Sequence, residues 1–132
     1  MIDEYIKQWI TKADNDLKIV EHELKLPEEE IVKDAVCFHC QQAVEKYLKA
    51  FLIYHKKEFE KIHIIEELLL QCSKIDKDFS DIDVKNLTDF AIDVRYAEEF
   101  YIPDMAEVKF YYELTKRIRN LVFTKLGIET DA

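Results

Sequence analysis

A chain of 132 residues has the length of one ordinary domain, and a composition of 48% hydrophobic and 12% aromatic residues is enough to build a core. One glycine and two prolines leave little to turn the chain at each reversal of a sheet, which excludes an all-β fold and predicts long helices. With 28 acids against 19 bases the net charge is −9, a surface that repels phosphate backbones and carries no polybasic membrane anchor.

Nonspecific nucleic-acid binding is therefore not expected, whereas one preorganised nucleotide site inside an acidic field is compatible with that charge. The first residues, Met1-Ile2-Asp3-Glu4, are acidic where a signal peptide is basic. The longest apolar run, Ala50-Phe51-Leu52-Ile53-Tyr54, falls far short of the roughly 18 residues of a membrane span. Three cysteines, an odd number, suit a reducing compartment better than a disulfide framework. These features predict a single soluble cytoplasmic domain over residues 1–132, without a cofactor.

Ile2, Ile6, Trp9, Ala13, Leu17, Val20 and Leu24 recur every three or four residues and mark one face of a first helix. Pro27 and the acidic triplet Glu28, Glu29 and Glu30 break that pattern and predict a reversal, after which Asp34 is a candidate N-cap. A second helix is predicted over residues 35–55, with Val36, Cys40, Ala43, Val44, Tyr47, Leu48 and Phe51 at core spacing. A short third helix starts near His63 and carries Ile64, Ile65, Leu68 and Leu69; it ends in the polar stretch 73–80. Residues 82–96 read as a fourth helix.

The fifth helix has the clearest start. Asp104 follows Pro103 and precedes Glu107 by three residues, the layout of a capping box. Tyr111, Leu114, Ile118 and Leu121 continue its apolar face, and Lys116, Arg117, Arg119 and Lys125 gather toward its C-terminal end, where cations favour the helix dipole. The chain as a whole is predicted to be an all-α, up-and-down bundle of about five helices.

Two features stand out chemically. In the second helix Gln42, Glu45, Lys46 and Lys49 fall at i, i+3, i+4 and i+7 and so project from one side. The plain reading is a solvated face supported by ion pairs; the other readings are a ligand surface or, for Gln42 and Glu45, a buried polar network. The second feature is Arg95-Tyr96, at the predicted end of the fourth helix. A guanidinium there either binds terminal carbonyls and a neighbouring carboxylate or recognises a phosphate.

Together these motifs resemble the HEPN domains, named for higher eukaryotes and prokaryotes nucleotide-binding. The resemblance rests on Trp9 and Ala13 followed by Asp16-Leu17, on Gln42-Ala43-Val44-Glu45-Lys46-Tyr47-Leu48-Lys49-Ala50, on His63 opening the next helix, and on Arg95-Tyr96, in that order. It spans nearly the whole chain. It implies a helical bundle, commonly a homodimer.

Many HEPN proteins are ribonucleases, toxins among them, identified by an arginine followed four to six residues later by a histidine. Here His22, His39, His55 and His63 all precede Arg95, Arg117 and Arg119, so that motif is absent. The resemblance then implies a non-catalytic domain that binds a nucleotide or acts with a small nucleotidyltransferase as a toxin-antitoxin-like pair. Arg95 would contact phosphate, Lys49 and Lys46 would add charge, Tyr96 would position a base or a partner helix, and Gln42, Glu45 and His63 would complete the surface. The alternative is a metal-independent ribonuclease in which a dimer cleft brings His63 or His39 near Arg95.

Other signals have plainer readings. Cys37-Phe38-His39-Cys40 has the spacing of a metal half-site, but its thiols lie inside a predicted helix and read as small buried hydrophobes. The acids Asp81, Asp83, Glu98 and Glu99 read as solvated surface, and Phe110-Tyr111-Tyr112 as core and dimer contact rather than a base-stacking platform.

Overall fold

The structure, a computed structural model, describes residues 2–59, 64–91 and 101–129. The described residues include four α-helices: α1 (Glu4–Leu24), α2 (Lys33–Tyr54), α3 (Ile65–Ile75) and α4 (Met105–Leu126). Short 3-10 turns lie at Glu28–Glu30, Lys77–Phe79 and Leu87–Phe90, and no strand occurs among the described residues. The fold is an all-α bundle.

Helix α1 is capped by Asp3, whose carboxylate accepts from the Ile6 N–H at 2.9 Å. Its predicted stripe is its buried face, with Ile6, Ile10, Ala13, Leu17 and Val20 all in the core. Helix α2 behaves differently. It buries residues on almost every side, from Val36 through Leu52, because α1, α3, α4 and the 87–90 turn all pack against it. Tyr47, Phe51, Leu48 and Leu52 have no exposed surface, and truncating a phenylalanine such as Phe51 to alanine at such a site costs about 3–5 kcal/mol.

The start of α2 departs from expectation. Asp34 lies within the first turn rather than at the cap, and Val32 occupies the cap without a side-chain bond of its own. Glu23, near the end of α1, anchors this entry by accepting the Val32 N–H at 2.9 Å. A long-range carboxylate therefore does part of what a local cap residue would do.

Two helix ends share one device. After α4, Gly127 adopts φ 72° and the Ile128 N–H returns to the Phe123 carbonyl at 2.9 Å; after α2, Lys56 adopts φ 59° and the Lys57 N–H returns to Leu52 at 2.9 Å. The chain's one glycine therefore stands where a left-handed residue closes its last helix.

The expected fourth helix is not helical over its described part, residues 82–91. Ile82 and Val84 are buried at a spacing of two and Leu87 and Phe90 at a spacing of three, the periods of extended and 3-10 backbone rather than of an α-helix. Asp83 enforces the turn by accepting the Lys85 N–H at 2.9 Å, with Lys85 at φ 46°. Residues 92–96 of that expectation lie outside the described residues.

The 87–90 turn also caps α3 from a distance. Thr88 accepts the Ile65 N–H at 3.1 Å and donates to Glu66 at 2.7 Å, which supplies the side-chain cap that Ile64 cannot. At α4 the capping box is present in full: the Glu107 N–H reaches Asp104 at 2.8 Å and the Asp104 N–H reaches Glu107 at 3.3 Å. Of the cations expected to favour that helix's C-terminus, Lys125 alone sits in the last turn, where it pairs with Asp76 and Asp78. Lys116 pairs with Glu113, Arg117 with Asp81 and Arg119 with Asp14.

A candidate polar site on the second helix

Helix α2 places Gln42, Glu45, Lys46 and Lys49 on one side, as their spacing requires, but that side is not a solvated face. Glu45 is 8% and Lys49 4% exposed, and their ion pair measures 2.9 Å. Gln41, which has no exposed surface, donates to Glu45 at 3.0 Å and accepts from Gln42 at 2.7 Å. A buried polar network replaces the expected water. It is closed by aromatics, with the Lys49 ammonium 5.8 Å from the Trp9 ring centre and 5.2 Å from that of Phe59. Trp9 and Phe59 meet edge to face at 5.9 Å.

Lys46 belongs to a neighbouring cluster. Its ammonium lies 2.6 Å from one oxygen of Asp16, a mostly buried carboxylate on α1, and the other oxygen lies 2.9 Å from Nδ1 of His39. Asp16 keeps 11% of its side chain exposed, against 25% for His39 and 23% for Lys46. An ionised carboxylate accepts but does not donate, so the bond fixes the tautomer with its proton on Nδ1 and leaves Nε2 as the other nitrogen. His39 and Lys46 are seven residues apart, two helical turns, and converge on one carboxylate for that reason.

A second clasp holds the opposite flank of α1. Asp14 accepts from the Tyr47 hydroxyl of α2 and, at 3.0 Å, from Nε of Arg119 of α4, whose guanidinium lies 4.1 Å from the centre of Phe123. Burial, and then the bond to Asp14, push the Tyr47 hydroxyl well above the usual tyrosine range. Farther along, Tyr112 donates to Glu21 at 2.8 Å, and burial together with that carboxylate raises it to about 12.

Of the residues expected to form the site, the structure gathers Gln42, Glu45, Lys46 and Lys49 on one flank of α2; His63, Arg95 and Tyr96 lie outside the described residues, as do Glu98 and Glu99. Asp14, Gln41, Tyr47 and Arg119 were not anticipated as polar partners. For the carboxylates a signal existed: Asp14 and Asp16 flank the core positions Ala13 and Leu17 on an amphipathic helix, where solvated residues are not expected.

Cys37 and Cys40 are fully buried, and burial raises the Cys40 thiol to about 12, so it packs as a hydrophobe rather than reacting. Among the described residues no group of three or more His, Cys, Asp or Glu is placed to hold a metal, and no helix is long and apolar enough to cross a membrane. Asp81 and Asp83 are both exposed. In the aromatic trio Tyr111 is a core residue, while Phe110 and Tyr112 are partly buried against the core.

A family model for the HEPN domain matches residues 6–126, which takes in α2, α3 and α4, all but the first two residues of α1, and both polar clusters. The chain belongs to the HEPN domain family. No match was found among curated proteins or solved structures. In this HEPN domain the signature run along α2 has a physical meaning: its alanines and apolar residues fill the core, and its glutamines, glutamate and lysines build the polar flank.

Proposed function

We propose that this HEPN domain is a non-catalytic binding module, a homodimer that receives a nucleotide or a nucleotide-carrying partner. The partner class is a small nucleotidyltransferase, in a toxin-antitoxin-like arrangement. One observation carries the reading: every histidine precedes every arginine, so no arginine is followed at four to six residues by a histidine. Lys46 and Lys49 are each held against a carboxylate within 3 Å, which supports a role in ordering the polar flank of α2. Arg95 is then the phosphate-contacting residue, and Tyr96 and His63 complete the surface.

One feature favours the ribonuclease alternative. The Asp16–His39 pair has the orientation that a carboxylate gives a general base, with a quarter of the imidazole open to solvent. The experiment that separates the two is titration with ATP and with a short RNA, following heat and RNA integrity together, in EDTA and in magnesium. Nucleotide binding without cleavage, lost in Arg95→Ala, is the expected result. Cleavage in EDTA that Arg95→Ala abolishes would make the protein a ribonuclease instead.

A further inference from the structure

We propose that His39 and Lys46 form a phosphate subsite on the seam between α1 and α2, with Asp16 as its positioning residue. The proposal goes deeper into the nucleotide-binding reading, because it says where a phosphate group sits and which side chains take it.

Convergence is the first argument. His39 and Lys46 approach the two oxygens of one carboxylate at 2.9 and 2.6 Å, so their head groups are neighbours. Burial is graded in a telling way, since the carboxylate lies inward at 11% exposure while the two nitrogen bases keep 25% and 23%. The two nitrogen-bearing side chains therefore keep more surface open than the carboxylate they share.

Electrostatics supplies the second argument. Lys46 balances the charge of Asp16, so the cluster has no net negative charge to repel an anion, and a protonated His39 gives it a net charge of +1. The groups described as facing the imidazole are Asp16 from α1, Lys46 of α2 across the same carboxylate, and the Phe38 ring, 5.1 Å away edge to face. Nε2 of the imidazolium and the two remaining ammonium hydrogens of Lys46 are donors suited to phosphate oxygens.

Packing makes the third argument. A clasp whose sole task was to join two helices would be served as well or better by apolar side chains, because desolvating the charges offsets their attraction. Three ionisable groups placed at an open seam are chemically equipped for an anion.

The test uses inorganic phosphate, and AMP as a second probe, followed by the imidazole carbon-bound proton signals of His39. Phosphate should shift those signals saturably. His39→Asn retains a donor toward Asp16 but lacks Nε2, so the fold should survive while phosphate affinity drops at least tenfold. Lys46→Gln should weaken binding similarly. Asp16→Asn should change the His39 ring signals and weaken phosphate binding while the protein stays folded, a combination that a purely structural role would not produce.

Unshifted His39 signals at saturating phosphate, or unchanged affinity in a folded His39→Asn protein, would overturn the subsite. ATP binding that is lost in Arg95→Ala and untouched by His39→Asn would overturn it too, yet leave the nucleotide-binding reading intact.

Discussion

Asp14 and Asp16 stand two residues apart on α1 and serve different seams. Two residues turn an α-helix by about 200°, so the carboxylates leave on opposite sides of the buried stripe. Asp14 draws its partners from two helices, Tyr47 of α2 and Arg119 of α4, and ties three helices together. Asp16 draws both from α2 and ties only two. Similar chemistry thus has two consequences: at the first seam one of the two donors, the Tyr47 hydroxyl, belongs to a fully buried residue, whereas at the second both donor side chains reach solvent, as Arg119 does at the first.

The sharpest way to break this comparison is to remove each carboxylate in turn. Asp14→Ala strands the Tyr47 hydroxyl in the core and frees Arg119, and a stranded buried polar group costs about 1–3 kcal/mol. We expect a loss of about 2 kcal/mol, seen as a lower urea midpoint at unchanged slope. Asp16→Ala should cost about 1 kcal/mol, because His39 and Lys46 can turn to water. Equal costs, or the reverse order, would show that the two seams do not differ in this way.

How much of this was legible in the sequence follows from the range of each interaction. Helices α1, α2 and α4 were readable because apolar spacing and the Asp104–Glu107 box are local signals. Residues 82–91 misled because Ile82, Val84, Leu87 and Phe90 are apolar at close intervals, and only their spacings of two and three separate a turn from a helix. Asp34 looked like a cap because the competing interaction, Glu23 with the Val32 N–H, comes from another helix. The α2 flank was readable as a set of residues but not as a buried network, since Trp9 and Phe59 arrive from elsewhere in the chain. Asp14 and Asp16 could be placed beside the core stripe, but which helix each would meet depends on the packing of the bundle.

Alkaline pH probes Tyr47 of the first seam together with Tyr112, which bonds Glu21 farther along α1. Tyr47 and Tyr112 hold their protons more tightly in the fold than a free tyrosine, whose ordinary value is 10.0; Tyr112 rises to about 12. A folded value above the unfolded one means that this stabilisation is complete below pH 10 and is lost as pH rises through the folded value. The buried thiols of Cys40 and Cys72, raised from 9.0 to about 12, act in the same direction, so stability should be level up to about pH 9 and fall between about pH 9 and 12, with the tyrosines contributing above pH 10. Tyr112→Phe should flatten that fall, whereas His39→Asn on the second seam should leave it unchanged. A slope that ignored Tyr112→Phe would remove this group from the explanation.

The smallest effect concerns independence. Residues in one hydrogen-bond network usually couple by 0.5–3 kcal/mol, and roughly that range is what neighbours in sequence would suggest for Asp14 and Asp16. The described bonds give them no shared partner, and the buried face of α1 separates their side chains. A double-mutant cycle of Asp14→Ala and Asp16→Ala should therefore return a coupling below about 0.5 kcal/mol. A larger value would mean that Tyr47 and Lys46, adjacent on α2, transmit strain from one clasp to the other. The seams would then act as one unit, and a ligand held at His39 and Lys46 would be felt by the clasp at Asp14 and Arg119.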